Sequence, residues 1–96
     1  MPGILRQNQD TTVDGALIIE GSSNVFINGK GAVRIGDHIQ PHNHGKTTVY
    51  SYMITGSSTV FVNGIAVCRS GDQATNGDIA GSGSPNCIAE IGRAHV

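Results

Sequence analysis

Three of the four histidines in this 96-residue chain fall within seven positions, at His38, His42 and His44. In an extended segment residues i and i+2 face the same way, so His42 and His44 can present two imidazoles to one ion. Pro41 stiffens the entry to this stretch and Gly45 permits a tight exit. His38 can close the set, and its neighbour Asp37 can instead orient an imidazole from behind. Neutral imidazole suits Zn²⁺ or Fe²⁺, and a zinc site is normally tetrahedral. H-x-H is short and nonspecific, however, and a solvent-exposed polar loop without an ion satisfies the same spacing.

The elements that must hold this stretch announce themselves by repetition. Residues 21–38 read GSSNVFINGKGAVRIGDH and residues 56–73 read GSSTVFVNGIAVCRSGDQ; they align without a gap, with ten identities in eighteen positions. A third, worn copy begins at Gly83-Ser84-Pro85-Asn86 and breaks off before it is complete. In each full copy a β-branched and aromatic run leads into Asn-Gly and out into a second such run. That is the strongest short-range hairpin signal, because both central residues of a type I′ turn need positive φ. Upstream, Ala16–Ile19 and Val49–Thr55 read as further strands, which gives three-stranded units at roughly 15–38, 49–73 and, in part, 78–96 of a single domain spanning 1–96. Cys68 aligns with Val33 and Cys87 with Val25, so both read as buried free thiols at apolar positions, a disulfide being the alternative that a cytosolic product disfavours.

After each repeat comes Gly-Asp, a loop, and a polar residue before Gly. Asp14-Gly15, His44-Gly45 and Asn76-Gly77 stand in this place. Asp14, His44 and Asn76 therefore read as equivalent positions of a pseudo-threefold chain, converging near one end if the units pack about an axis. His95 reads as a terminal residue outside this set.

Composition removes several classes. Six Lys and Arg against seven Asp and Glu leave a net charge of −1, with no basic stripe for nucleic acid. Gly, Val, Thr and Ser outweigh helix formers, which argues against a bundle. Low charge and regular Val and Ile argue against disorder. The start lacks a charged and then apolar leader, and no apolar run is long enough for a membrane span. The expected route is synthesis in the cytoplasm and export by a machine other than the general secretory one.

Together, the doubled Gly-Ser-Ser-(Asn/Thr)-Val-Phe-(Ile/Val)-Asn-Gly stretch, its continuation to Gly36-Asp37 and Gly71-Asp72, and Gly83-Ser84-Pro85-Asn86 resemble the PAAR-repeat family. These are spike-tip proteins of contractile injection machines: type VI secretion systems, phage tails and related particles. The resemblance covers nearly the whole chain. It implies a mostly-β, cone-shaped fold with pseudo-threefold symmetry, its base seated on a trimeric β-helical spike, one chain on three. It implies a structural metal at the apex, typically zinc, held by histidines and a cysteine. His44 matches the ligand position before Gly, and His42 lies in the ligand-bearing loop. Asp14 stands where a His is common and Asn76 where Cys is frequent, and the family's Cys-Pro is Gln40-Pro41 here. A metal can still bind through His38, His42 and His44 with Asp14 as an oxygen ligand; equally, hydrogen bonds can hold a metal-free apex.

The function this implies is structural: capping and sharpening a spike that pierces a target membrane. A narrow tip has little room for a core, and one ion can tie its loops together. Because the chain stops at Val96 after its partial third copy, any effector cargo is expected to attach non-covalently. Two other readings compete. A small metalloenzyme would use the His loop with Asp14 or Asp37 as base, but no HExxH or comparable arrangement is present. A β-rich adhesin-like module would self-associate without a spike.

Overall fold

Two Asn-Gly pairs fix the local structure. Asn28 and Gly29 have φ of 53° and 80°, and Asn63 and Gly64 have 55° and 76°; this is the double positive φ that the turn requires, tolerated by Asn and free of cost for Gly. They close two short hairpins in the computed structural model of the chain. In the first, β1 (Phe26–Ile27) pairs with β2 (Lys30–Gly31). Between the two lies a longer hairpin, β3 (His38–His44) against β4 (Thr47–Tyr52), with a bulge between Ile39 and His42. The other Asn-Gly hairpin follows, β5 (Phe61–Val62) against β6 (Ile65–Ala66). The structure describes residues 3–44, 47–75 and 77–88, and of His42, Asn43, His44 and Val49 the backbone alone. No helix occurs among the described residues, and the fold is mostly β, in short antiparallel pairs. The expected strand at Ala16–Ile19 is reduced to single bridges, Leu17 with Thr11 and Ile18 with Ile39.

The copies are joined in closed cycles. Leu5 N–H donates to Cys68 C=O at 3.0 Å, Cys68 N–H to Val33 C=O at 2.9 Å, and Val33 N–H to Leu5 C=O at 3.1 Å. A second cycle links Ile19 to His38, Ile54 to Gln73 and Gly81 to Thr11. A third links Gln40 to Leu17, Thr75 to Tyr52 and Val13 to Ile79. Three sets of the same bonds, each passing from copy to copy and back to the start, are the signature of a pseudo-threefold axis.

The interior follows the same rule. Leu5, Val33 and Cys68 form one set of equivalent buried residues; Ile18, Met53 and Ala80 form another; Ile39, Ala74 and Thr12 a third. A second cluster of Ile4, Ala32, Val62 and Val67 is flanked by Val25, Ile27, Val60 and Cys87. Each large side chain fully removed from water contributes about 1.5–3 kcal/mol, but these are few, and small residues fill several equivalent places. Side-chain polar contacts must supply part of the cohesion.

Among the described residues, the start of the third copy pairs with the segment around Ile4. Ile4 N–H donates to Cys87 C=O at 2.8 Å, as Ala32 does to Val25 and Val67 to Val60, both at 3.0 Å. In return Ser84 N–H donates to Ile4, Ser22 to Ala32 and Ser57 to Val67. The segment that opens the chain therefore supplies the strand that the Gly83–Ile88 segment needs. Residues 89–96, counted into the third copy on sequence and including His95, lie outside the described residues.

Candidate functional site

An Arg–Asp pair recurs at the start of each inter-copy loop: Arg6–Asp10 at 2.8 Å, Arg34–Asp37 at 3.2 Å and Arg69–Asp72 at 2.9 Å. In each, the backbone N–H of the Arg also donates to the same carboxylate, at 2.8, 2.7 and 2.6 Å. The carboxylate thus pins the turn and the guanidinium together. Burial alone would raise the Asp10 pKa, but the bonds from Arg6 and Ser82 outweigh it and hold this carboxyl below the usual range.

A third group braces each pair or its neighbour. Ser82 Oγ donates to Asp10 and Thr55 Oγ to Asp72, both at 2.9 Å. Glu20 occupies the equivalent place in the remaining copy, since Ile19, Ile54 and Gly81 are cycle partners. Its carboxylate accepts the His38 backbone N–H at 2.8 Å, where Thr55 accepts Gln73 N–H at the same distance. It also bonds His38 Nδ1. These contacts with His38 lower the Glu20 pKa. The His38 ring lies 5.7 Å from that of Tyr52, tilted by 59°.

The loops diverge from there. Thr12 N–H donates to Ala16 C=O across a short turn at 13–15, and Ala74 N–H donates to Asp78 C=O with only three residues between them in the sequence. In the middle copy the equivalent pair is Ile39 opposite Ser51, and eleven residues, 40–50, lie between them. The inserted length forms the outer part of the β3–β4 hairpin. His44, paired with Thr47, stands at its far end, while Asp14 sits in a short turn directly on the core. Asp14 and His44 are therefore not equivalent, as the residue-before-Gly spacing had implied. Asn76 lies outside the described residues.

His38 is at the base of the hairpin opposite Tyr52, six residues along β3 from His44, or up to about 20 Å at ordinary strand rise. His42 pairs with Val49; the side chains of His42 and His44 lie outside the described residues. Asp37, considered as a partner for an imidazole, is engaged by Arg34, and Glu20 takes that part for His38. No cluster of three or more His, Cys, Asp or Glu suited to a metal occurs among the described residues.

Both cysteines are free thiols. Cys68 sits in the innermost cycle with its thiol directed to Thr55 C=O, and burial pushes its pKa up. Cys87 is half-buried against the second cluster. Two features escaped the sequence reading. One is the Arg–Asp staple, visible as Arg34-x-x-Asp37 and Arg69-x-x-Asp72. The other is the Ser51 hydroxyl, buried in the layer of Ala16 and without a hydrogen-bond partner among the described residues. A lone Ser between tyrosines carries no signal of that.

The family model described as PAAR motif matches residues 8–82. No curated protein matches the chain.

Proposed function

The chain belongs to the PAAR-motif family, whose role is structural, at the spike tip of contractile injection systems, and from that premise we propose that it caps a trimeric β-helical spike as a single chain and sharpens it for passage through a target membrane. The observation that carries this is the set of closed hydrogen-bond cycles: Leu5, Val33 and Cys68, with the two cycles above them, turn one chain into three similar faces. A partner with three identical chains is met in the same way by each face. No helix of the described residues is long and apolar enough to cross a membrane, and in this reading the tip passes as a folded body carried by its shaft.

A structural ion forms part of the proposal. His42 and His44 take alternate positions at the outer end of β3, and two imidazoles so spaced suit zinc, or iron in its place. His38 is engaged with Glu20 at the base, and Asp14 lies in the neighbouring short turn. The ion is placed on His42 and His44, where it would clamp a two-stranded extension that is marginal alone. Its chemistry is that of a cross-link.

Binding of the purified chain to the trimeric β-helix of a spike protein encoded in the same genome tests the capping role, at an expected ratio of one chain per trimer. Absence of binding overturns it. Elemental analysis tests the ion: the double variant His42→Ala, His44→Ala is expected to lose bound metal and to melt at a lower temperature. A metal-free parent with unchanged melting of the variant removes the ion from the proposal.

A further inference from the structure

β1 and β5 each carry one apolar residue that the interior does not use. Val25 and Ile27 pack on the second cluster, whereas Phe26 between them is 59% exposed. Phe61, in the same place in the next copy, is 57% exposed, and Ile88, brought to that place by its bridge to Gly3, is 49% exposed. The equivalence lies in the pairing: Phe26 stands opposite Gly31, Phe61 opposite Ala66 and Ile88 opposite Gly3. A cross-strand neighbour ordinarily covers part of an apolar side chain. Here each neighbour is small, and at two of the three it has to be. A Cβ on Gly31 would fall 2.5 Å from the Ser22 carbonyl oxygen, and one on Gly3 would fall 2.1 Å from that of Ser84. At these two places the backbone behind the strand pair therefore keeps the position opposite the outer residue bare.

Singly exposed apolar residues are ordinary on any protein. A full set of three is not, and the other exposed apolar residues do not make one. Val13 is matched by Gln40 and Thr75, Ile35 by Gln7 and Ser70, and Ile19 and Ile54 by Gly81. Leu17, the counterpart of Tyr52 and Ile79, is half-buried. Among the described residues only Phe26, Phe61 and Ile88 repeat strong exposure and apolar character in all three copies. Together they leave about 300 Å² of apolar side chain in water, divided among three places rather than gathered in one patch. That distribution suits a partner with three equivalent chains, each offering one apolar contact.

We propose that Phe26, Phe61 and Ile88 are the three equivalent anchors of this chain on the blunt end of its three-chain partner, one anchor to each partner chain. The assignment rests on the capping role proposed above and names the residues that perform it. Binding to the trimeric spike β-helix encoded in the same genome is measured for Phe26→Ser, Phe61→Ser, Ile88→Ser, the triple variant, and Val13→Ser as an equally exposed control, with circular dichroism and melting to show that each folds. Each single change is expected to weaken binding about tenfold, the triple change to abolish it, and Val13→Ser to leave it unchanged. Should the triple variant not fold, the three single variants carry the test. A parent that binds while the anchor variants bind equally well overturns this assignment and leaves the capping role standing. Loss at Phe26 and Phe61 with none at Ile88 overturns the threefold equivalence. A parent that does not bind overturns the capping role and this assignment with it.

Discussion

The Ser22 hydroxyl donates to Asn63 Oδ1 across 2.7 Å, joining the start of one copy to the turn of the next. Asn63 returns a bond from Nδ2 to Asn24 Oδ1 at 2.9 Å and accepts one from Arg34. One copy earlier, Asn28 makes the same contacts with Ser84, Asn86 and Arg6. The Asn of each Asn-Gly turn thus has two duties. Its backbone takes the positive φ that closes the hairpin, and its amide clips that hairpin to the neighbouring copy.

Asn63→Ala removes both. The left-handed backbone costs an alanine about 1 kcal/mol, and the lost inter-copy bonds about 1 kcal/mol more. Chemical denaturation is expected to show a loss of about 2 kcal/mol, with Asn63→Gly recovering the backbone part only. Equal losses for both variants would assign the whole effect to the amide.

Asp10 gives the stability a defined acid limit. Its carboxyl is buried, and the bonds from Arg6 and Ser82 hold its pKa below the usual carboxylate range. A depressed carboxylate contributes stability that is fully present above the unfolded-state value and is lost as pH falls through the folded-state value. The free-energy gap between the parent and Asp10→Asn is therefore expected to be constant above about pH 5 and to shrink steadily below about pH 4. A gap that persists unchanged to pH 2 would show that the charge of Asp10 contributes nothing.

The two thiols differ in access. Cys68 is fully buried with its pKa raised, and Cys87 is half-buried. Since thiolate is the reactive form, a disulfide reagent is expected to modify Cys87 in the native protein and Cys68 only upon unfolding. Rapid reaction of Cys68 under native conditions would contradict its place in the central cycle.

Ser51 presents the reverse of the usual core substitution. Its hydroxyl is buried without a hydrogen-bond partner among the described residues, and alanine already stands at the equivalent position, Ala16. Ser51→Ala is expected to raise stability by about 1 kcal/mol, since an unsatisfied buried hydroxyl carries its desolvation cost uncompensated. A loss of stability would show that the hydroxyl has a partner beyond those residues.

What could be read from the sequence was what short range determines. Asn28-Gly29 and Asn63-Gly64 specify their turns within four residues, and the alignment of Cys68 with Val33 anticipated its burial, whereas Cys87, expected to be buried like an apolar residue at Val25's place, is half-buried as Val25 is. The third copy was half-visible because its strand comes from Ile4-Leu5-Arg6, too few residues to stand out as the counterpart of Ala32-Val33-Arg34. Only pairing across the whole chain reveals it. The loop register failed for a related reason. Counting to the residue before Gly set His44 beside Asp14, but a strand pair can lengthen without disturbing its base, so the insertion between Ile39 and Ser51 moved the histidines outward while the core stayed in register. The Arg and Asp of the staples were seen as identities between copies; their union across a turn is a three-dimensional fact.

The contacts of Ile4 with Cys87 and Arg69 also set the order of events during biosynthesis. Leu5, Arg6 and Gln7 find partners in Gly31, Ala32 and Val33, but Ile4 cannot complete its contacts until Arg69 and Cys87 have been made. The central cycle likewise cannot close until Cys68 has emerged to meet Leu5. Assembly of this small body is therefore dominated by long loop closures, and slow for its size.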